Sequence, residues 1–349
     1  MNSIKIKSGK YPSKLERLFC TIEGKKNALI VSHTNPDPDS IASALALQYF
    51  LQETAKIKST VALNGIIGRA ENRALIEYLS LEHKFLEQIN LSDYEIIALI
   101  DTHIGMGNNP LNDSIPITIE IDHHPGKSAN KKAEFSDIRE SFGATATILT
   151  NYLLSAGLKI GTKLATALFY AIKAETQDLG REAKTSDRKA YLTLYQIIDF
   201  RALAKIQRAN LSPQYFQDMG RAIRRTAIYD DVVISTPGNV NNPDMVAELA
   251  DTFMRLNDIQ WAIVMGCYQE KMYISVRSND PDNDAGELVR NVVGKMGTAG
   301  GHDMFAGGRL PCKTEPGAHW KLKEKLRKRF LAELGYDRRR KGKKLNTIN

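Results

Sequence analysis

"IEIDHHPG" (119–126) sets a carboxylate and two imidazoles side by side at the end of an apolar, β-branched run. Along an extended strand neighbouring side chains alternate, so Asp122 and His124 share one direction and His123 takes the other, unless the strand has ended. The chain has seven histidines, and two of them fall together here, where a buried strand meets solvent. Such an end calls for nitrogen and oxygen donors.

Outward from this stretch, strand and helix alternate. "NALIVSHT" (27–34) reads as a buried strand and "DSIASALALQYFLQET" (39–54) as the helix that follows, with Asp39 placed to cap it. A strand at 59–65, a helix near 70–80, and strands "YEIIALIDTH" (94–103) and "PITIEIDHH" (116–124) continue the pattern, and helices at 145–157, 162–176 and 186–199 close it. Continuous apolar strands alternating with helices predict an α/β fold with a mainly parallel sheet covered on both faces. The charge-mixed stretch 201–230 reads as a helical connector. Beyond it a smaller α/β pattern begins: strands at 232–236, 260–268 and 271–278, helices from about 243 and over 285–296, and a glycine-rich turn.

Composition narrows the class of protein. The net charge of +8 is a property of the end of the chain, because residues 321–344 hold twelve Lys or Arg against three acids, a local balance of +9 that leaves −1 for everything else. Three scattered cysteines make neither a disulfide framework nor a thiolate zinc site, which fits a reducing cytoplasm. No stretch approaches the apolar length of a membrane span, so no membrane partner is expected.

Polar residues cluster at strand ends. His33, Asp37 and Asp39 follow the first strand, Asp101 ends another, Asp122, His123 and His124 end a third, and Asp178 follows a helix returning to the same edge. Ligands of open parallel sheets bind outside the carboxyl ends of the strands, so these groups converge. Crowded carboxylates repel unless a cation offsets them. Carboxylate and imidazole without thiolate favour Mn²⁺ or Mg²⁺, with Zn²⁺ also compatible. The donors outnumber what one ion needs, and two ions bridged by a shared carboxylate would suit in-line attack on phosphorus.

"SHTNPDPDSIAS" (32–43), "IDTH" (100–103), "DHH" (122–124), "GATATIL" (143–149) and "QDLG" (177–180) resemble, in order, the signature blocks of the DHH phosphoesterase superfamily. "YISVRS" (273–278) and "GTAGGHDMFAGG" (297–308) look like the second domain of its DHH–DHHA1 branch, and the whole is similar to the small nano-RNases, oligoribonucleases that also dephosphorylate 3′-phosphoadenosine 5′-phosphate (pAp). The resemblance implies one metal on His33, Asp37 and Asp101 and another on Asp39, Asp101, His123 and Asp178. Asp122 and His124 then fix the ligand imidazole and face the phosphate, and Asp122, His123 and His124 form the catalytic stretch. Across a cleft, Arg277 and His302 would grip the terminal phosphate, with Gly300 and Gly301 allowing close backbone approach, Arg309 as a lesser candidate, and Phe305 as a base-stacking face.

The implied activity is two-metal hydrolysis of short single-stranded RNA or linear dinucleotides to mononucleotides, and of pAp to AMP. A cyclic-dinucleotide phosphodiesterase, an inorganic pyro- or polyphosphatase and a non-catalytic nucleotide-binding protein are the alternatives. The expected layout is a lead (1–25), a DHH domain (26–200), the connector (201–230), a DHHA1 domain with a mixed sheet (231–314) and a helical basic tail (315–349). In that tail an apolar stripe would pack on the second domain, and "RRRKGKK" would be a solvated end. Pro38, Ser40, His103, Gln177, Leu179 and Phe305 depart from the family's commoner residues and leave substrate choice open. A homodimer is one option for the oligomeric state.

Overall fold

Apolar runs at 27–34, 96–100 and 119–122 bury almost every side chain, which is what a sheet covered on both faces requires. The computed structural model describes residues 13–126, 133–181, 183–280, 282–312 and 318–347, and the chain divides into two units, Met1–Ala209 and Asn210–Asn349.

In the first unit β1 (Asn27–Thr34), β2 (Lys58–Asn64), β3 (His83–Phe85), β4 (Ile96–Ile100), β5 (Ile119–Asp122) and β6 (Phe135–Ile138) form one parallel sheet in the order β3-β2-β1-β4-β5-β6. Its helices are α1 (Ser13–Ile22), α2 (Pro38–Ala55), α3 (Ala70–Leu79), α4 (Thr145–Ser155), α5 (Thr162–Glu175), α6 (Thr185–Tyr195) and α7 (Phe200–Gln207). The order reverses between β1 and β4, the position where doubly wound sheets open a crevice for ligands. Register does the rest. Ser32 pairs with Ile100 and Ile100 with Ile121, so His33, Asp101 and Asp122, one residue further on each strand, stand side by side at the carboxyl edge.

Some expectations are corrected here. The strand expected over 94–103 stops at Ile100, because Asp101 adopts φ +59°, outside the extended region. Asp37, not Asp39, caps α2: its Oδ1 accepts from the Ser40 N–H at 2.9 Å, the Ser40 hydroxyl returns the bond, and Pro38 takes the first helical position. That leaves Asp39 for another task. Residues 13–22 of the expected lead are an integral helix, with Leu15, Leu18, Phe19 and Ile22 buried and the Phe19 ring 5.6 Å from that of Phe50.

The second unit contains α8 (Pro213–Arg224), β7 (Thr226–Tyr229), β8 (Val232–Asn239), α9 (Asp244–Phe253), β9 (Trp261–Tyr268), β10 (Lys271–Ser278), α10 (Ala285–Val293), β11 (Thr298–His302), β12 (Phe305–Pro311), α11 (Ala318–Glu333) and β13 (Lys343–Lys344). The sheet runs β11-β12-β10-β9-β8-β7-β13 and is mixed, with β8 and β9 parallel and the other pairs antiparallel. The expected connector is not a separate piece: α7 belongs to the first unit, and α8 and β7 to the second. Nor is the glycine-rich stretch a loose turn, since it is the β11–β12 hairpin.

The tail joins the same body. Leu326, Phe330 and Leu331 of α11 are buried in the second unit's core, and the end expected to be solvated adds β13 to β7. Among the described residues no helix is long and apolar enough to cross a membrane.

Candidate metal centre

The sheet edge gathers two groups of three donors, His33–Asp37–Asp101 and Asp101–His123–His124, each with its ligand atoms within 4.8 Å of one another and both including Asp101. His33 Nε2 lies 3.6 Å from Asp37 Oδ1 and 3.4 Å from Asp101 Oδ2. His123 Nε2 lies 3.8 Å from Asp39 Oδ2 and 3.7 Å from Asp101 Oδ1. These gaps exceed hydrogen-bond length, and they match donors that share a cation at roughly 2.1 Å from each. Asp101 Oδ2 and His123 Nε2 are buried and have no hydrogen-bond partner among the described residues.

The far side of each ring is committed. His33 Nδ1 is 3.1 Å from its neighbour's carbonyl at Thr34, and His123 Nδ1 is 3.3 Å from the Phe142 carbonyl. Donation of Nδ1–H to a carbonyl turns the Nε2 lone pair towards the carboxylates, the usual second contact of a metal-binding imidazole. Asp39 sits under the start of α4, accepting from the N–H groups of Thr145 at 2.7 Å and Ala146 at 2.8 Å, and the Thr145 hydroxyl donates to Asp101 at 2.8 Å. "GATATIL" therefore supplies a helix N-terminus that fixes two carboxylates.

Electrostatics at the edge ask for positive charge. Burial and the neighbouring Asp101, Glu175 and Asp37 push the Asp39 carboxyl well above the ordinary range. Burial alone would depress His33, yet Asp37 and Asp101 hold its pKa well above the usual imidazole value. One side of the cluster wants a proton and the other resists losing one, and a divalent cation resolves both. The residues present thus fit a divalent metal.

Asp122 does a different task. Its Oδ2 is 2.6 Å from His103 Nδ1, its Oδ1 is 2.8 Å from His124 Nδ1, and Oδ1 also accepts the N–H groups of His123 and His124. Burial works against its charge, but these imidazole contacts hold it well below the usual carboxylate range. It orients both rings rather than facing the donors. The alternation read from the sequence does not carry on to the two histidines, because the strand ends at Asp122: their ring centroids lie 4.3 Å apart, and His123 Nε2 and His124 Nδ1 are each 3.7 Å from Asp101 Oδ1. Burial would lower His124, but its bond to Asp122 and the charge of Asp101 raise it to about 9. Its Nδ1 is given to Asp122, and His124 at 24% side-chain exposure is the most open of the ring donors.

Asp178 does not join the group. Gln177, Asp178 and Leu179 form a turn of consecutive left-handed residues, and the Asp178 side chain is 57% exposed, held by Lys173 Nζ at 2.5 Å and the Tyr191 hydroxyl at 2.6 Å. Glu175, the last residue of α5, is the acid that the cluster's charges reach: burial, with the charges of Asp37, His123, Arg181 and Asp101, leaves its carboxyl above the ordinary range, and Arg181 Nη2 lies 3.3 Å from its Oε1. A carboxylate at a helix C-terminus opposes the helix dipole, and that was the available sign that Glu175 serves something else.

Asp187 was also missed. It is buried and receives the N–H groups of Lys184 at 2.8 Å and Gly143 at 2.9 Å and the Thr147 hydroxyl at 2.6 Å, tying α6 to the start of α4. A Cβ on Gly143 would come within 3.0 Å of it. Asp187→Ala strands these donors and is expected to cost about 3 kcal/mol of stability, read as a shifted denaturant midpoint with an unchanged slope.

In the second unit Arg277 is tethered: Nε donates to Asp251 at 2.6 Å, Nη1 to the Ser275 hydroxyl at 2.8 Å, and the Phe305 ring lies 4.8 Å from the guanidinium carbon. Phe305 therefore stacks on Arg277. Gly301, at φ +133°, is required by the hairpin itself, since a Cβ there would stand 2.3 Å from the Phe305 carbonyl, whereas Gly300 faces open space. Arg309 is exposed on β12 opposite Tyr273. His302 lies in β11, and its side chain is outside the described residues.

Residues 27–172 match the DHH family N-terminal domain and residues 229–333 the DHHA1 domain. The chain therefore carries a DHH domain and a DHHA1 domain in that order. An uncharacterized protein of Methanocaldococcus jannaschii is 33% identical over 314 residues, 89% of this chain and 63% of that protein. A probable manganese-dependent inorganic pyrophosphatase of Staphylococcus saprophyticus is 25% identical over 147 residues, 42% of this chain and 47% of its own. The chain thus spans less than two thirds of the length of these relatives. An exopolyphosphatase-related protein of Bacteroides fragilis has the same fold, with a TM-score of 0.73 at 15% identity over 91% of this chain and 97% of that one.

Proposed function

We propose that the protein is a divalent-metal-dependent phosphoesterase that hydrolyses short single-stranded oligoribonucleotides and linear dinucleotides to mononucleotides, and pAp to AMP. The observation that carries this reading is the pair of donor groups joined by Asp101, with the unpartnered Asp101 Oδ2 and His123 Nε2 between them. His33, Asp37 and Asp101 would hold one ion, and Asp39, Asp101, His123 and Glu175 a second, with Mn²⁺ favoured over Mg²⁺ by the imidazoles. Ions bound there supply Lewis acidity towards a phosphoryl group and a nucleophile drawn from water.

The chain's own residues do the rest. Thr145 and the start of α4 fix Asp101 and Asp39, so these ligands need no reorganisation. Asp122 holds the His124 ring with Nε2 outward, where a protonated imidazole offsets charge that builds on a phosphoryl oxygen. His103 braces the other oxygen of Asp122, and a Cβ at residue 126 would come 2.9 Å from its Nε2, so Gly126 is needed to close over the ring. His103→Ala is expected to lower kcat roughly 10-fold with little change in KM, because it loosens Asp122 without touching substrate. Steady-state kinetics check this.

The kinship with a probable inorganic pyrophosphatase supports a second reading, hydrolysis of pyrophosphate, but it covers 42% of this chain. The test is a substrate panel with Mn²⁺: a 5′-phosphorylated diribonucleotide, a longer single-stranded RNA, pAp, a cyclic dinucleotide and pyrophosphate. Fastest turnover of the dinucleotide supports the nucleotide reading. Pyrophosphate cleaved faster than every nucleotide replaces it with the second.

A further inference from the structure

At the carboxyl end of β8 an open pocket of about 910 Å³ is walled by Arg221, Arg225, Lys323 and Trp320, with amide side chains between them and no carboxylate in its lining. The nearby acid is already used: buried Asp218 binds the Arg221 guanidinium and accepts the Asn241 N–H at 3.1 Å. Arg225 Nη1 donates to the Pro237 carbonyl at 3.1 Å, and its place depends on a missing side chain, since a Cβ on Gly238, at φ +92°, would lie 2.5 Å from that nitrogen. The backbone is shaped around this arginine.

Lys323 is half-buried, no carboxylate pairs with it among the described residues, and burial lowers its pKa, with Cys267 opposing the shift and Arg225 adding to it. Two cations held together without an acid are unfavourable until an anion arrives. Beside them Trp320 is 67% exposed, a broad aromatic face left in water. Clustered cations next to an exposed indole, with amides between, match a phosphate joined to a planar base.

The pocket is not the Arg277 region. Val232 pairs with Trp261 and Trp261 with Ser278, so Arg277 lies at the amino end of β8, while Thr236–Asn239 of the pocket lie at its carboxyl end. The separation is roughly 20 Å at strand rise.

We propose that this pocket is a nucleotide-binding site, with Arg225 and Lys323 taking a phosphate and Trp320 stacking on the base. The nucleotide is either a free mononucleotide or one residue of an RNA strand. The site stands whether or not the metal centre hydrolyses RNA.

Binding of AMP, of a fluorescent oligoadenylate and of inorganic phosphate to the full chain is measured in EDTA, where no turnover interferes. Trp320→Ala, at an exposed position, is expected to weaken the nucleotide ligands about 10-fold. Lys323→Gln is expected to reduce the slope of log affinity against log salt by about one for the oligonucleotide. AMP binding that needs Trp320 assigns a mononucleotide site, and oligonucleotide binding alone that needs it assigns a strand site; both support the proposal. Unchanged affinity and salt slope in both variants, or phosphate bound as tightly as AMP, overturns it. Unfolding melts of the variants show that each is folded.

Discussion

Asp101→Asn is expected to reduce metal-dependent phosphoester hydrolysis by at least ~10³-fold, about 4 kcal/mol of activation free energy. Asp101 is the one carboxylate in both donor groups, with one oxygen 3.4 Å from His33 and the other 3.7 Å from His123. The amide keeps the shape and the bond from Thr145 but removes the charge that both sites share. The same change relieves repulsion on Asp39, so without metal the variant should melt no lower than the natural protein. Lost activity with retained stability separates a metal ligand from a structural carboxylate. A rate within a few-fold of the natural protein would remove Asp101 from the chemistry.

The second large effect divides two acids three residues apart. Glu175→Gln is expected to lower turnover roughly 100-fold, partly recovered at high Mn²⁺, whereas Asp178→Asn should stay within about 3-fold. Glu175 feels the charges of Asp37, His123 and Asp101 and pairs with Arg181, while Asp178 is exposed and tied to Lys173 and Tyr191. Kinetics of both variants across a Mn²⁺ titration decide the matter. The reverse pattern would return the role to Asp178 and require the turn at 177–179 to rearrange.

How far the sequence foretold the site varies with the local physics. β1, β4 and β5 were legible because both faces of each strand are buried, which writes a continuous apolar run, and because polar residues at the carboxyl edge then stand out. β3 and β6 are three- and four-residue edge strands, too short to leave a pattern. His33, Asp37, Asp39, Asp101 and His123, which strand ends and motif order single out, come together at the sheet edge. Asp178 stands apart from the cluster: a sequence does not reveal which acid a turn swings outwards, and here consecutive left-handed residues decide it. Asp187 ties α6 to α4 through contacts 40 and 44 residues away. The basic tail looked like a solvated end, since a two-residue strand such as β13 is defined only by its partner β7.

Manganese binding tests the central claim most directly. Metal-free protein titrated with Mn²⁺ and followed by electron paramagnetic resonance should take up two equivalents that give a spin-coupled signal, as expected for ions about 3.5–4 Å apart. Asp101→Asn should abolish the coupling. No tight binding, or two uncoupled ions unaffected by that substitution, would contradict a metal centre built on Asp101.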